Sequence, residues 1–171
     1  SGDGNRVVIG SPNNNQNGTW SGQVKVYEYN GLSWDQLGQS LNGYSSNYRF
    51  GSKTAINYNG NYIIVGAPGY YNGNGAVYIY AWNNTISLWE ELYYFTGTTN
   101  ASLGYSVSVN SDGSVFAYGS QYGGAPGNSG CVDVYSNDGV SITPMGSTIS
   151  GYATGDDFGY SISLSNDVLR I

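Results

Sequence analysis

The stretch that decides the fold runs Phe50-Gly51-Ser52-Lys53-Thr54-Ala55-Ile56-Asn57-Tyr58-Asn59-Gly60-Asn61-Tyr62-Ile63-Ile64-Val65-Gly66-Ala67-Pro68. Thr54 and Ile56 alternate with the small Ala55, the period of a strand whose second face must approach something closely. Asn59-Gly60 follows, a strong hairpin signal because both residues tolerate positive φ. Ile63-Ile64-Val65-Gly66 is apolar without alternation, which implies a strand buried on both faces.

Working outward, the opening pair recurs as Leu103-Gly104, 53 residues on, and as Phe158-Gly159, a further 55 on. A fixed period of this length is the mark of a repeat architecture. The first strand, A, returns as Val107 and Val109 around Ser108, then as Ile162 and Leu164 around Ser163. The turn returns as Asp112-Gly113, and Asp3-Gly4 falls in the same register. The second strand, B, returns as Phe116-Ala117-Tyr118-Gly119 and stands at the N-terminus as Val7-Val8-Ile9-Gly10. A long polar loop leads each time to strand C, where Val24, Val26 and Tyr27 match Val77, Ile79 and Tyr80, then Val132, Val134 and Tyr135. Strand D begins near Trp34, Trp89 and Ile142 and continues through Leu37, Leu92 and Met145.

Four locally connected antiparallel strands per repeat is the pattern of a β-propeller blade. The sequence therefore predicts an all-β chain with three repeat periods in a permuted register. Residues 1–49 supply strands B, C and D, 50–102 and 103–157 are full blades, and 158–171 supply strand A and the start of B. Propellers usually have about four to eight blades. Three periods thus predict a segment of a larger propeller, or copies that associate to complete a ring or a filament. Asp167-Val168-Leu169-Arg170-Ile171 reads as the start of another turn and strand B.

These residues resemble the FG-GAP repeats of integrin α-subunit propellers and of related bacterial and eukaryotic surface proteins. The name-giving elements stand here as Phe50-Gly51 and Gly66-Ala67-Pro68, with Gly10-Ser11-Pro12 as a close variant and Gly119-Ser120-Gln121 as a degraded one. The resemblance covers essentially the whole chain and implies an extracellular or cell-surface module with its ligand sites on one loop face. Many members carry an acidic calcium loop between strands A and B. Here that connection is Asn57-Tyr58-Asn59-Gly60 or Asn110-Ser111-Asp112-Gly113. Either offers too few carboxylates for the six to eight oxygens calcium prefers, so no metal is expected there, and no cofactor.

Composition narrows the function classes. At 171 residues the chain can build an ordinary core. Only 9% of residues are charged and 15% are aromatic, with 27 Gly and 18 Tyr, a mixture that favours short strands and turns over helices or disorder. The net charge is −6, and Arg6, Lys25, Arg49, Lys53 and Arg170 are spread too thinly to neutralise a row of phosphates, which excludes nucleic acid. No apolar run approaches the roughly 20 residues that span a bilayer, so membrane insertion is not expected. Cys131 has no partner for an internal disulfide and reads as a small buried strand residue. A tyrosine-rich, nearly uncharged surface also suits self-association.

In an antiparallel blade the B-to-C and D-to-next-A loops emerge on one face. The first set is Ser11 to Ser21, Pro68 to Gly75 and Gln121 to Gly130; the second is Leu41 to Arg49, Thr96 to Ser102 and Gly151 to Asp157. They carry Trp20, Tyr44, Tyr48, Tyr70, Tyr71, Tyr122 and Tyr152 among Gly, Asn and Ser. Such surfaces suit a protein or carbohydrate partner, because Tyr and Trp give contact area at little entropic cost. Asn17-Gly18-Thr19, Asn83-Asn84-Thr85 and Asn100-Ala101-Ser102 fit the N-glycosylation acceptor pattern, and all three are expected in loops.

Histidine is absent, which removes the commonest general base. A glycosidase could use two carboxylates, and the visible pairs are Glu90-Glu91 and Asp156-Asp157. Alternation sends the first pair to opposite strand faces, and the second precedes an anchor, where acids shape loops. The expected function is therefore non-enzymatic: an extracellular structural, adhesive or interaction module, with a carbohydrate-active enzyme at the propeller mouth as the alternative.

Overall fold

The computed structural model describes residues 1–124 and 127–166. They form three consecutive antiparallel sheets. The first holds β1 (Arg6–Ser11) and β2 (Gln23–Tyr29), with β3 (Trp34–Gln36) and β4 (Leu41–Asn42) both paired to β2. The second runs β5 (Lys53–Ile56), β6 (Tyr62–Ala67), β7 (Ala76–Asn83) and β8 (Leu88–Thr96) in sequence order. In the third, β9 (Leu103–Val109), β10 (Val115–Ser120) and β11 (Cys131–Asn137) are followed by β12 (Ile142–Pro144) and β13 (Ile149–Ser150), both paired to β11. A single irregular helical turn, α1 (Tyr70–Gly73), interrupts the β6–β7 loop. No helix among the described residues is long and apolar enough to cross a membrane.

The register repeats with the sequence. Gly10 pairs with Val24, Gly66 with Val77 and Gly119 with Val132. The uninterrupted apolar run of β6 feeds two cores: Ile63 and Val65 pack toward the first sheet with Val24, Val26 and Phe50. Ile64 packs toward the third with Val77, Ile79 and Phe116. Both faces of the middle sheet are thus covered, as that run requires.

Glycines explain the anchors. A Cβ on Gly10 would lie 1.9 Å from the Gly51 carbonyl oxygen, one on Gly66 2.1 Å from that of Gly104, and one on Gly119 2.2 Å from that of Gly159. The glycine ending each strand B therefore touches the glycine opening the next strand A. Lateral bridges accompany this contact, joining Gly22 to Phe50, Gly75 to Leu103 and Gly130 to Phe158 in parallel. Neighbouring sheets are fastened where each new repeat begins.

The turns are closed by amides. Asn57 Oδ1 accepts from the backbone N–H groups of Asn61 and Tyr62 at 3.0 and 2.9 Å. Asn110 Oδ1 accepts from Val115 N–H at 2.9 Å.

Several expectations are corrected. Ile162 and Leu164 do not form a strand. Their segment instead lies along the third sheet, with Ser106 Oγ donating to the Gly159 carbonyl at 2.6 Å and Leu164 N–H donating to Ser108 Oγ at 3.0 Å. Its expected partner, the strand read at 167–171, lies outside the described residues. Strand B is not buried everywhere: Val8 of β1 packs on the first core, but Ile9 is 49% exposed, because no sheet among the described residues covers the other face of the first sheet. Leu41, Asn42 and Thr96 are strand residues, their backbones paired with Val24, Gln23 and Ala76. Asn83 ends β7 opposite Leu88 and so is not in a loop.

Candidate functional site

The loops expected on one face do meet. Between the first and second repeats, Asn47 N–H donates to Thr19 O at 2.8 Å and Arg49 N–H to Trp20 O at 3.0 Å. Between the next two, Ser102 N–H donates to Gly73 O at 2.9 Å. Residues preceding the anchors adopt left-handed backbone, with φ of 54° at Arg49, 52° at Ser102 and 54° at Asp157. That conformation is uncommon for residues with a Cβ, and it turns the chain sharply into the bridge.

A concavity lies between the first two sheets. It has a volume of about 310 Å³ and is lined by Tyr44, Tyr48, Tyr70, Tyr78, Glu91 and Tyr94. Tyr44 and Tyr48 come from the D-to-A loop, Tyr70 from the neighbouring B-to-C loop, Tyr78 from β7, and Glu91 and Tyr94 from β8. Tyr78 is a buried floor residue, Tyr48 and Tyr70 are half-buried, and Tyr44, Tyr94 and Glu91 form an exposed rim. The Tyr48 and Tyr70 rings meet at 4.6 Å and 56°, Tyr44 and Tyr78 at 6.1 Å and 46°, and Tyr78 stacks on Tyr94 at 6.0 Å.

Glu91 is held by hydroxyls. Tyr44 and Tyr80 donate to its Oε2 at 3.0 and 3.2 Å, and neither engages Oε1. Burial, reinforced by the Glu91 charge, pushes the Tyr80 phenol far above the usual tyrosine range. Burial does the same to Tyr78. Tyr44 is also raised, by partial burial and its bond to Glu91. These phenols stay neutral across the physiological range, Tyr44 and Tyr80 as donors to Glu91.

Three of the sequence-predicted aromatics therefore converge: Tyr44, Tyr48 and Tyr70. Tyr71 adjoins Tyr70 at 6.4 Å and points outward, 66% exposed. The others stand apart. The Arg49 guanidinium sits 5.3 Å from the Trp20 ring centroid. Tyr122 lines none of this cavity, its N–H donating to Ala101 O at 3.1 Å. Tyr152 is 93% exposed, and its N–H is bound by the Asp156 carboxylate.

Sequence reading missed Tyr78 and Tyr94, and weighed Glu91 only as half of a catalytic carboxylate pair. Alternation does put Glu90 and Glu91 on different partners, since Glu90 accepts from Asn83 Nδ2 at 3.0 Å. The hidden element is a bulge: Ile79 pairs with Tyr93 and Tyr80 with Glu91, skipping Leu92. That bulge sets Glu91 beside the Tyr80 hydroxyl.

The groove between the second and third sheets is a built-in comparison. Gly97 takes the place of Gly43, each donating its N–H at 2.9 Å to the bridge glycine. Leu103 takes that of Phe50, Gly119 that of Gly66 and Val132 that of Val77. Tyr44, Tyr48, Tyr70 and Tyr78 thus correspond to Thr98, Ala101, Gly123 and Asp133, all of which line this second groove. Tyr94, opposite Tyr78, corresponds to Thr148, whose hydroxyl bonds Asp133 at 2.6 Å. The scaffold repeats and these five tyrosines do not, although the second groove has aromatic residues of its own in Phe95, Tyr118 and Tyr135.

At the acceptor sequences, Asn17 is exposed and its Nδ2 donates to Gly43 O at 2.9 Å, while Asn100 is exposed in a left-handed turn. Asn83 Nδ2 is engaged by Glu90. No group of three or more His, Cys, Asp or Glu able to hold a metal occurs among the described residues.

A scan against protein-family models and a search of curated proteins each gave no match. Solved structures do match. A candidate 6-phosphogluconolactonase of Bacteroides fragilis is 13% identical at a TM-score of 0.57, over 94% of this chain and 41% of the other. Sqt1 of Saccharomyces cerevisiae is 14% identical at a TM-score of 0.50, over 88% of this chain and 32% of the other. The chain therefore spans less than half the length of either, and at such identities the likeness speaks for fold alone: successive antiparallel sheets in a propeller-like arrangement.

Proposed function

We propose that this chain is part of a β-propeller of the FG-GAP type, displayed outside the cell or at its surface, and that it works as a non-enzymatic interaction module. One observation carries this reading: the aromatic groups that the repeat does not need are gathered where loops of consecutive sheets meet, and they close a cavity there. The FG-GAP assignment is supported by the glycine contacts, which fall on the motif's own positions. The sparse charge and the exposed Asn17 and Asn100 suit a glycosylated surface protein. A larger ring, a filament or a surface coat accommodates the sheets equally well.

The rival is enzymatic, and the Bacteroides neighbour, a candidate 6-phosphogluconolactonase, makes a lactone or sugar hydrolase its natural form. A carboxylate pair in a cleft would favour it. Glu90 and Glu91 instead engage different partners, and Asp156 caps its own loop through the N–H groups of Tyr152 and Ala153.

A glycan and protein-array screen of the chain beside Trp20→Ala and Tyr70→Ala/Tyr71→Ala variants decides the matter. Saturable binding weakened by at least one variant is expected. Turnover of a lactone or glycoside, or array binding that ignores both variants, would overturn it.

A further inference from the structure

Resting on the reading of the loop face as a binding surface, the geometry points to a chemical class for the tyrosine cup: we propose that it takes a methylated ammonium group, carried by a small molecule or by a modified lysine side chain. The lining offers five aromatic rings and one carboxylate and has no basic residue. Ring faces are electron-rich and attract cations held within about 6 Å of the centroid. Among the described residues, Arg49 lies over Trp20, Lys53 over Tyr105, and Arg6 is paired with Glu28 at 2.8 Å, all outside this lining.

Shape and size agree. Tyr48 and Tyr70 are tilted by 56° and Tyr44 and Tyr78 by 46°, while Tyr94 lies near-parallel to Tyr78 at 20°, so the rings around the cavity take several orientations instead of forming one flat platform on which a sugar ring stacks. About 310 Å³ is at the small end of ligand pockets, which run from about 300 to 1,000 Å³. That admits a headgroup or one side chain and not a buried oligosaccharide. Glu91 supplies the counter-charge at the rim, with Tyr44 and Tyr80 fixing Oε2. An anionic ligand would meet this carboxylate and a chain of net charge −6. Tyr78 and Tyr70 also pack on the first core, but the fold does not demand Tyr44, Tyr48 and Tyr94, because the next groove keeps the sheet contacts with Thr98, Ala101 and Thr148 in their places.

The test is calorimetric titration with choline, with a peptide carrying trimethyllysine, and with 3,3-dimethylbutanol, the uncharged isostere of choline. At least one trimethylammonium probe should bind saturably and about tenfold more tightly than the isostere. The tighter of the two identifies the source as free ligand or protein. Glu91→Gln and Tyr94→Ala should each weaken binding about fivefold or more, while Tyr94→Phe, which keeps the ring, should stay within about twofold. Equal binding of the isostere, no saturable binding by either probe to natively folded protein, or wild-type affinity in both Glu91→Gln and Tyr94→Ala would overturn the proposal. If the probes fail while the array screen still detects a partner sensitive to Trp20 or Tyr70 and Tyr71, only this inference falls.

Discussion

Gly66 and Gly104 touch backbone to backbone: the Cβ that Gly66 lacks would stand 2.1 Å from the Gly104 carbonyl oxygen and 3.3 Å from its Cα. Both neighbours are main chain, so no side-chain rotation relieves the clash. Gly66→Ala should cost about 3 kcal/mol, the upper part of the usual overpacking range. In a thermal melt this is a drop of about 10 °C. Gly127→Ala, where nothing lies within 4 Å, is the control and should stay within about 0.5 kcal/mol. Equal melting of the two variants would defeat the account of the repeat's glycines.

Phe50 is fully buried and meets Tyr78 edge-on at 5.3 Å. Truncation to Ala should cost about 3–5 kcal/mol in urea unfolding. Phe50→Leu should cost less than about 1.5 kcal/mol, because Leu103 already fills the equivalent place against the third sheet. A Leu variant as weak as the Ala variant would show the two anchors not to be interchangeable.

Asn110 is buried; its Oδ1 binds Val115 N–H at 2.9 Å and its Nδ2 donates to Ser114 Oγ at 3.1 Å. Asn110→Ala strands a buried donor and should cost about 1–3 kcal/mol by denaturant titration. Asn110→Asp retains an acceptor for Val115 and should fall between the Ala variant and wild type.

Stability should fall off at both ends of the pH scale. Hydrogen bonds from Ser141 and Val140 hold the Asp138 carboxyl below its usual range, and those from Ser114 do so for Asp112. A depressed carboxylate stabilises the fold above its unfolded pKa of about 3.9 and loses that contribution as pH drops below it. The buried phenols of Tyr78, Tyr80 and Tyr118 are raised. They therefore favour the fold below an unfolded pKa of about 10 and lose that as pH rises above it. Melting temperature against pH should show a plateau between about pH 5 and 9. Tyr118→Phe should flatten the alkaline limb and leave the acid limb alone.

Cys131 is buried, and burial pushes its thiol upward. A thiol reagent at neutral pH should react slowly with the native protein and rapidly in denaturant, since the thiolate is the nucleophile. Equal rates would mean that the third sheet opens readily at β11.

The repeat was legible because its determinants are local and recur: an anchor glycine, an Asn-Gly or Asp-Gly turn, an apolar strand. Gly10, Gly66 and Gly119 recur in register, although nothing in the sequence marks their contact partners across the sheets. The cup was half legible. Tyr44, Tyr48 and Tyr70 stood out as loop aromatics, whereas Tyr78 and Tyr94 lie inside strands C and D with no signal of their own and Glu91 was one of a carboxylate pair set aside. Their meeting depends on the skipped Leu92 and on packing between different sheets, neither of which leaves a periodic trace. Ile162 and Leu164 have the alternation of a strand without forming one, because a pattern states which face is apolar and cannot supply a hydrogen-bonding neighbour.

The parallel bridges at Phe50, Leu103 and Phe158 bear on how this chain answers a pulling force. Successive sheets are joined by a recurrent set of contacts, the bridge with the glycine contact and loop hydrogen bonds beside it, and a core lies between them. Tension along the chain is therefore carried through these fasteners in series. Extension should proceed in discrete, similar steps, one repeat yielding before the next, and rebinding in the reverse order would let a stretched array recover its length.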